Sequence, residues 1–352
     1  MSVSNPFFEI SLLPYQAPHF DEINDSHYRP AFDEAIRQKR ADIAAIVAQT
    51  AAPDFNNTVL ALEKSGAMLS RVSNVFFAMT SAHTNDDLQV LDEQFSTELA
   101  GLANDIWLNE TLFTRVESVW QDRAALDAES RRLVEETYQH FILAGARLND
   151  AGKTELKALN TESALLTSQF NQRLLAADKT GGLAVDYAYQ LEGLSADEMA
   201  TAAQAAAEKG LNDRWLIPLL NTTQQPALAA LTDRQTRENL FNAGWVRTQK
   251  GDENDTRELI LRLVALRARQ AHLLGFDDYA SWSIADQMAK TPAAALAFMR
   301  GIVPAARARA EREQADIQKV IDDEQGGFTV QAWDWSFYAE RVRLGKYALD
   351  ES

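Results

Sequence analysis

The chain has 352 residues, no cysteine, and a formal charge of −17 from 34 basic and 51 acidic side chains. Without cysteine there are no disulfides, iron–sulfur clusters, thiolate zinc sites or cysteine nucleophiles. A sequence pI near 4.8 argues against broad binding to nucleic acid or to an anionic membrane, since both need a basic face.

An apolar content of 46% is that of a globular protein, and the length suggests about two domains. The opening Met1-Ser2-Val3-Ser4-Asn5-Pro6-Phe7 has no basic stretch followed by a long apolar run, so no ordinary secretory signal is expected. No run approaches the roughly 18 apolar residues of a membrane span. The cytoplasm is therefore the default location.

Helical periodicity dominates the chain order that follows. Residues 30–49 carry Phe32, Ile36, Ile43, Ile46 and Val47, with Pro30 suited to a first turn. Residues 58–79 carry Val59, Leu62, Leu69, Val72, Phe76 and Met79. In residues 84–108, Thr84 and Asp87 read as a capping box before Leu88, Leu91, Phe95, Leu99, Leu102 and Ile106. Residues 130–148 (Leu133, Val134, Tyr138, Phe141, Leu148) and 153–177 (Leu156, Leu159, Leu166, Phe170, Leu174) continue the pattern.

The pattern breaks at Gly181-Gly182. Leu183-Ala184-Val185-Asp186-Tyr187 alternates as a strand does, and Trp215 to Leu220 is a second strand whose Pro218 demotes it to an edge. Ser195 and Glu198 form a capping box for a helix between them, with Gly210 at its end. Asn221 to Pro226 reads as a polar turn. Helices then resume: Asn254 or Asp255 caps a run through Leu259, Leu263, Leu266, Gln270 and Leu273, stopped by Gly275. Thr291-Pro292 starts a long helix to Gly326 with a kink at Pro304, and Asp334 caps a last helix from Trp335. The ending Leu349-Asp350-Glu351-Ser352 carries no glycine or proline. The expected organisation is a helical region over 1–180, a strand–helix–strand insert over 181–226, and a second helical region over 227–352.

Chemistry is sparse. The five histidines are His19, His27, His83, His140 and His272, and no two are three or four apart, so no helix offers a metal a paired face. Gly181-Gly182 and Gly326-Gly327 are isolated pairs, with no phosphate-binding or nucleophile-elbow motif around them. Asp86-Asp87, Glu135-Glu136 and Asp322-Asp323-Glu324 read as solvated helix surface. The segment Trp333-Asp334-Trp335-Ser336-Phe337-Tyr338 is the densest aromatic cluster, open to packing or to ligand contact. From the residues alone, catalytic and metal-binding residues are none, and substrate-binding residues are unknown.

Several segments together resemble one family. They are Asn5-Pro6-Phe7 through Leu13-Pro14-Tyr15, Tyr28-Arg29-Pro30-Ala31-Phe32, Phe55-Asn56-Asn57-Thr58, Ser168-Gln169-Phe170, Leu219 to Pro226, Ala285 to Thr291, and Trp333 to Tyr338. In order along the chain from Asn5 to Glu351, they look like the amino-terminal half of the thimet oligopeptidase group of zinc metallopeptidases (the M3 family), in its bacterial peptidyl-dipeptidase branch. The resemblance implies a mostly α, neurolysin-like fold split by a deep channel, a cytoplasmic enzyme that removes dipeptides from oligopeptide C-termini, zinc as cofactor, and a monomer.

The family's H-E-x-x-H helix and its third, glutamate ligand are absent, and there is no His-Glu dipeptide anywhere. None of the five histidines is carried over as a ligand. Two readings follow: one wall of a peptidase channel, inactive without the missing carboxy-terminal half, or a free-standing helical module that binds peptide or protein. A chain ending on the approach to another element favours the first. The truncation is expected to leave an apolar patch around Trp333, Trp335, Phe337 and Tyr338.

Overall fold

The computed structural model describes residues 5–347 and is mostly helical, with one small two-stranded sheet. The opening Met1 to Ser4 and the ending Leu349 to Ser352 lie outside the described residues. Two compact units emerge: Met1–Gln169 with Leu261–Pro292, and Phe170–Ile260 with Ala293–Ser352.

The first unit contains α1 (Asp25–Val47), a short α2 (Ala61–Lys64) after a π-helical turn at Phe55–Leu60, α3 (Ala67–Ala82), α4 (Asp86–Trp107), α5 (Glu110–Gln121) and α6 (Ala128–Leu143). The stripes predicted for these segments face inward. Phe32 of α1 stacks on Phe95 of α4 at 3.8 Å, and Phe76 of α3 meets both edge-on. All three rings are fully buried. A second cluster joins Ile43, Ile46, Leu102, Ile106, Leu112 and Phe141. Arg115 is buried where its guanidinium ties the Gln49 and Ala51 carbonyls to Asn57.

Four local expectations are corrected here. Pro30 is not in the first turn: Asn24 caps α1 by accepting from Ser26 N, and the helix begins at Asp25. A proline there lacks only the hydrogen bond to the Ser26 carbonyl, in the still-fraying first turns. The cap of α4 is Asn85, which accepts from Leu88 N at 2.9 Å, not Thr84. The stripe over 58–79 is broken at Gly66, whose φ of 76° no β-carbon tolerates easily. The stripe over 130–148 stops at Leu143, so Leu148 lies beyond it.

In the second unit α7 (Asp150–Thr180, begun in the first unit) leads into β1 (Gly182–Val185), then α8 (Ala196–Glu208) and β2 (Trp215–Pro218). The strands pair antiparallel with Leu183 opposite Ile217, although a helical crossover more often joins parallel strands. The Ser195–Glu198 capping box forms, and Gly210 N and Leu211 N close the helix end on Ala207 and Ala206 carbonyls. Asn221 to Pro226 is not a turn. It is the front of α9 (Asn221–Ala230), where Thr223 donates to the Pro218 carbonyl and Pro226 again falls early enough to be tolerated.

Then come α10 (Arg234–Trp245) and α11 (Arg257–Leu273), which returns the chain to the first unit. Asp255 accepts from Arg257 N, and Gly275 and Phe276 close α11 on His272 and Ala271 carbonyls, as predicted. The stripe member Gln270 is instead a buried amide, linked through Asn160 of α7 to Asn104 of α4 at 2.7 Å each. A short α12 (Tyr279–Ser283) follows, with Trp282 donating to the Leu143 carbonyl.

The long α13 (Pro292–Asp323) starts at Pro292 as expected and runs through Pro304 without interruption. Its end differs in detail: Gln325 takes the left-handed position (φ 58°), one residue before Gly326. The last helix, α14 (Trp335–Tyr347), follows a single 3-10 turn at Ala332–Asp334. Among the described residues no helix is long and apolar enough to cross a membrane.

Candidate functional site

The aromatic cluster at 333–338 is the natural first candidate, and its geometry is that of a clamp. Asp334 is fully buried and does not cap α14. It accepts from Gln331 N at 3.0 Å and receives both arms of Arg234, at 3.0 and 2.9 Å. Arg237, also buried, adds a contact at 3.3 Å and donates to the Leu231 and Thr232 carbonyls. The two guanidiniums lie over rings: Arg234 over Phe328 and Arg237 over Phe337, each at 4.1 Å.

Burial alone raises the Asp334 carboxyl, but hydrogen bonds from Arg234, the Gln331 amide and Arg237 outweigh it and hold the group below the usual carboxylate range. Burial pushes Arg237 down from its ordinary value against the pull of Asp334. Cations and carboxylate thus pair with one another, although the buried Arg237 Nε has no hydrogen-bond partner, and the packing reading of this segment is the one the contacts support. Phe337 and Tyr338 are buried against Ile317 and Ile321, so the apolar patch expected around them is not there. The pairing joins residues about a hundred positions apart, which no local motif announces.

Two of the cavities among the described residues are the more enclosed ones. One, of about 190 Å³, lies in the second unit between α8, β2 and α9, lined by Leu194, Ala202, Ile217, Pro226 and Ala227 with Asp197 at its rim. The other, of about 210 Å³, lies in the first unit beside the Pro6–Phe8 turn and includes His19 and Arg71.

The histidines are dispersed: His19 lines the second cavity, and the other four lie elsewhere. The His27 ring accepts from Asn24 N at 3.2 Å in the α1 cap. His272 contacts the Asp277 carbonyl at 2.8 Å. His83 follows the last residue of α3. His140 packs edge-on against Trp107 at 4.1 Å, and desolvation of the ring lowers its pKa although the residue keeps one side exposed. Among the described residues no three His, Asp or Glu side chains gather in a way that fits a metal ion. The donor set present does not fit the zinc that the resemblance implies. Of the acidic pairs, Glu135 and Glu136 meet Arg123 and Arg132, and Asp323 and Glu324 meet Lys319 and Arg341, as surface ion pairs do.

Comparison with known proteins supplies what the residues do not. Residues 227–352 match the family model of peptidase family M3. The dipeptidyl carboxypeptidase of Salmonella typhimurium is 68% identical over 99% of the chain, and that of Escherichia coli 66% identical over 100%. Oligopeptidase A of Escherichia coli is 25% identical over 97% of the chain. The chain spans about half of these relatives, 52% of each carboxypeptidase and 51% of the oligopeptidase. Residues 227–352 carry the signature of peptidase family M3, and the chain as a whole is similar to about half of a dipeptidyl carboxypeptidase.

Proposed function

We propose that this chain is the amino-terminal half of a zinc metallopeptidase that releases dipeptides from the C-termini of oligopeptides in the cytoplasm, forming one wall of the substrate channel. The observation that carries the reading is the pairing of 68% identity along 99% of the chain with coverage of only 52% of the relative. Hydrolysis of an amide at neutral pH needs an activated water, and in a zinc peptidase the metal and a neighbouring carboxylate supply it. His27, His272 and His140 sit in a helix cap, at a helix end and against an indole, which supports the reading that the complete enzyme supplies that machinery elsewhere. This half would hold and orient the peptide, and the complete enzyme would act as a monomer.

The test is direct. The purified chain, freed of host peptidases, is incubated with a blocked tripeptide, and its zinc content is measured after dialysis against a weak chelator. No cleavage and no stoichiometric zinc are expected. Chelator-sensitive hydrolysis by this chain alone contradicts the reading.

A further inference from the structure

The two ends of α13 have opposite surroundings. At its carboxy-terminal end Ile317 and Ile321 are buried with Val330, Phe337 and Tyr338. At the other end every residue from 296 to 312 is exposed. That stretch is nonetheless amphipathic. At 100° per residue, Leu296, Phe298, Met299, Ile302 and Val303, with Ala306 and Ala310, fall on one arc of the helix. Phe298 is 72% exposed, Val303 55% and Met299 51%. Five large apolar side chains on contiguous turns make a patch of the kind that marks an interface.

We propose that the apolar arc of α13 is the docking surface for the carboxy-terminal half that the relatives carry, and that this half covers it with an apolar face rimmed by acidic side chains. The proposal rests on the functional reading above. Three observations single out this occupant. The chain accounts for 52% of its relatives' length, which leaves about as much polypeptide again to be placed. The helix lies inside the segment matched to the peptidase family, 227–352. Charge disfavours a second copy seated helix on helix: over residues 296–313 Arg307 pairs with Glu311 and Arg309 with Glu313, which leaves Arg300 and Arg312 as a local +2, and two copies of a −17 chain repel. A basic flank on an acidic chain fits an acidic partner.

Hydrogen–deuterium exchange reads the occupancy. It is measured on this chain, on a fusion carrying the carboxy-terminal half of the Salmonella relative after Ser352, and on the intact Salmonella enzyme at its aligned helix. Amides over 296–310 are expected to exchange quickly in the chain alone and at least about tenfold more slowly in the fusion and the intact enzyme, while α4 is unchanged. Ile302→Asp with Phe298→Asp in the fusion should return that segment to fast exchange. Exchange that is equally fast in all three proteins overturns the proposal, and the intact enzyme gives this result even where the fusion misfolds. Protection in the chain alone that rises with concentration, together with a dimer in sedimentation, also overturns it by making the occupant a second copy. Peptide hydrolysis by the fusion is assayed in parallel. An active fusion with an unprotected helix sinks the docking surface alone, and a protected but inactive one sinks the functional reading.

Discussion

The two ends of α13 share one backbone helix, yet one end is packed against other elements and the other, among the described residues, is left exposed. The buried end combines two forces. Ile317 and Ile321 remove apolar surface from water, and the Arg234–Asp334–Arg237 clamp fixes the turn that feeds α14. The exposed end has a comparable apolar arc with no such partner. A side chain stabilises through the surface it hides and the polar groups it satisfies, not through its hydrophobicity as such. The comparison therefore predicts that equal substitutions at the two ends have very unequal effects.

The largest effect is expected at the clamp. Asp334→Ala leaves the buried Arg237 and the Arg234 arms without their anion, which typically costs about 3–5 kcal/mol. Urea unfolding followed by tryptophan fluorescence should show it, and a loss under about 1 kcal/mol would mean that water reaches the clamp. Next comes a matched pair. Ile321→Ala removes a fully buried side chain and should destabilise by about 2–5 kcal/mol. Ile302→Ala, on the same helix, should change stability by less than about 0.5 kcal/mol in the chain alone. Similar values at both positions would break the comparison.

Part of this contrast is legible in the sequence. The stripes over Leu88 to Ile106, the Ser195–Glu198 box and the Gly210 and Gly275 helix ends are local signals, and the structure places them where spacing put them. Elements were misread where neighbours compete. Asn85 outcompetes Thr84 as a cap, and Pro30 and Pro226 sit early enough to lose little. Long-range facts left no trace: Asp334 meets Arg234 a hundred residues away, and Gln270 hides in an apolar stripe because Asn160 waits for it. Periodicity announces that α13 has an apolar face but not whether anything covers it. The aromatic cluster at 333–338 suggests a patch in the sequence, but Phe337 and Tyr338 are covered by Ile317 and Ile321 of α13. The site is least legible: among the described residues no three His, Asp or Glu side chains gather in a way that fits a metal ion.

Smaller effects appear with pH. The carboxyl of Asp334 is lowered in the folded chain, so the unfolded chain binds its proton first as pH falls. Its contribution is complete above the unfolded value of about 3.9 and is lost as pH falls through the lower folded value. Acid unfolding of Asp334→Asn should therefore be less steep below about pH 4. His140 gives the smallest shift. Desolvation beside Trp107 lowers its folded pKa, so its contribution is complete above about 6.5 and fades as pH falls below it. Because the ring keeps one side in water, the change between pH 7.5 and 5.5 should be slight, and His140→Gln should remove it. A stability that rises on acidification through that window would contradict the assignment.

The central claim is that this chain is half of a peptide-cleaving enzyme, and product analysis of the fusion with the Salmonella carboxy-terminal half tests it most directly. A ten-residue peptide, sampled over time by mass spectrometry, should lose successive dipeptides from its C-terminus with the fusion and stay intact with the chain alone. Release of single residues or of amino-terminal fragments, or cleavage by the chain without the added half, would contradict the account.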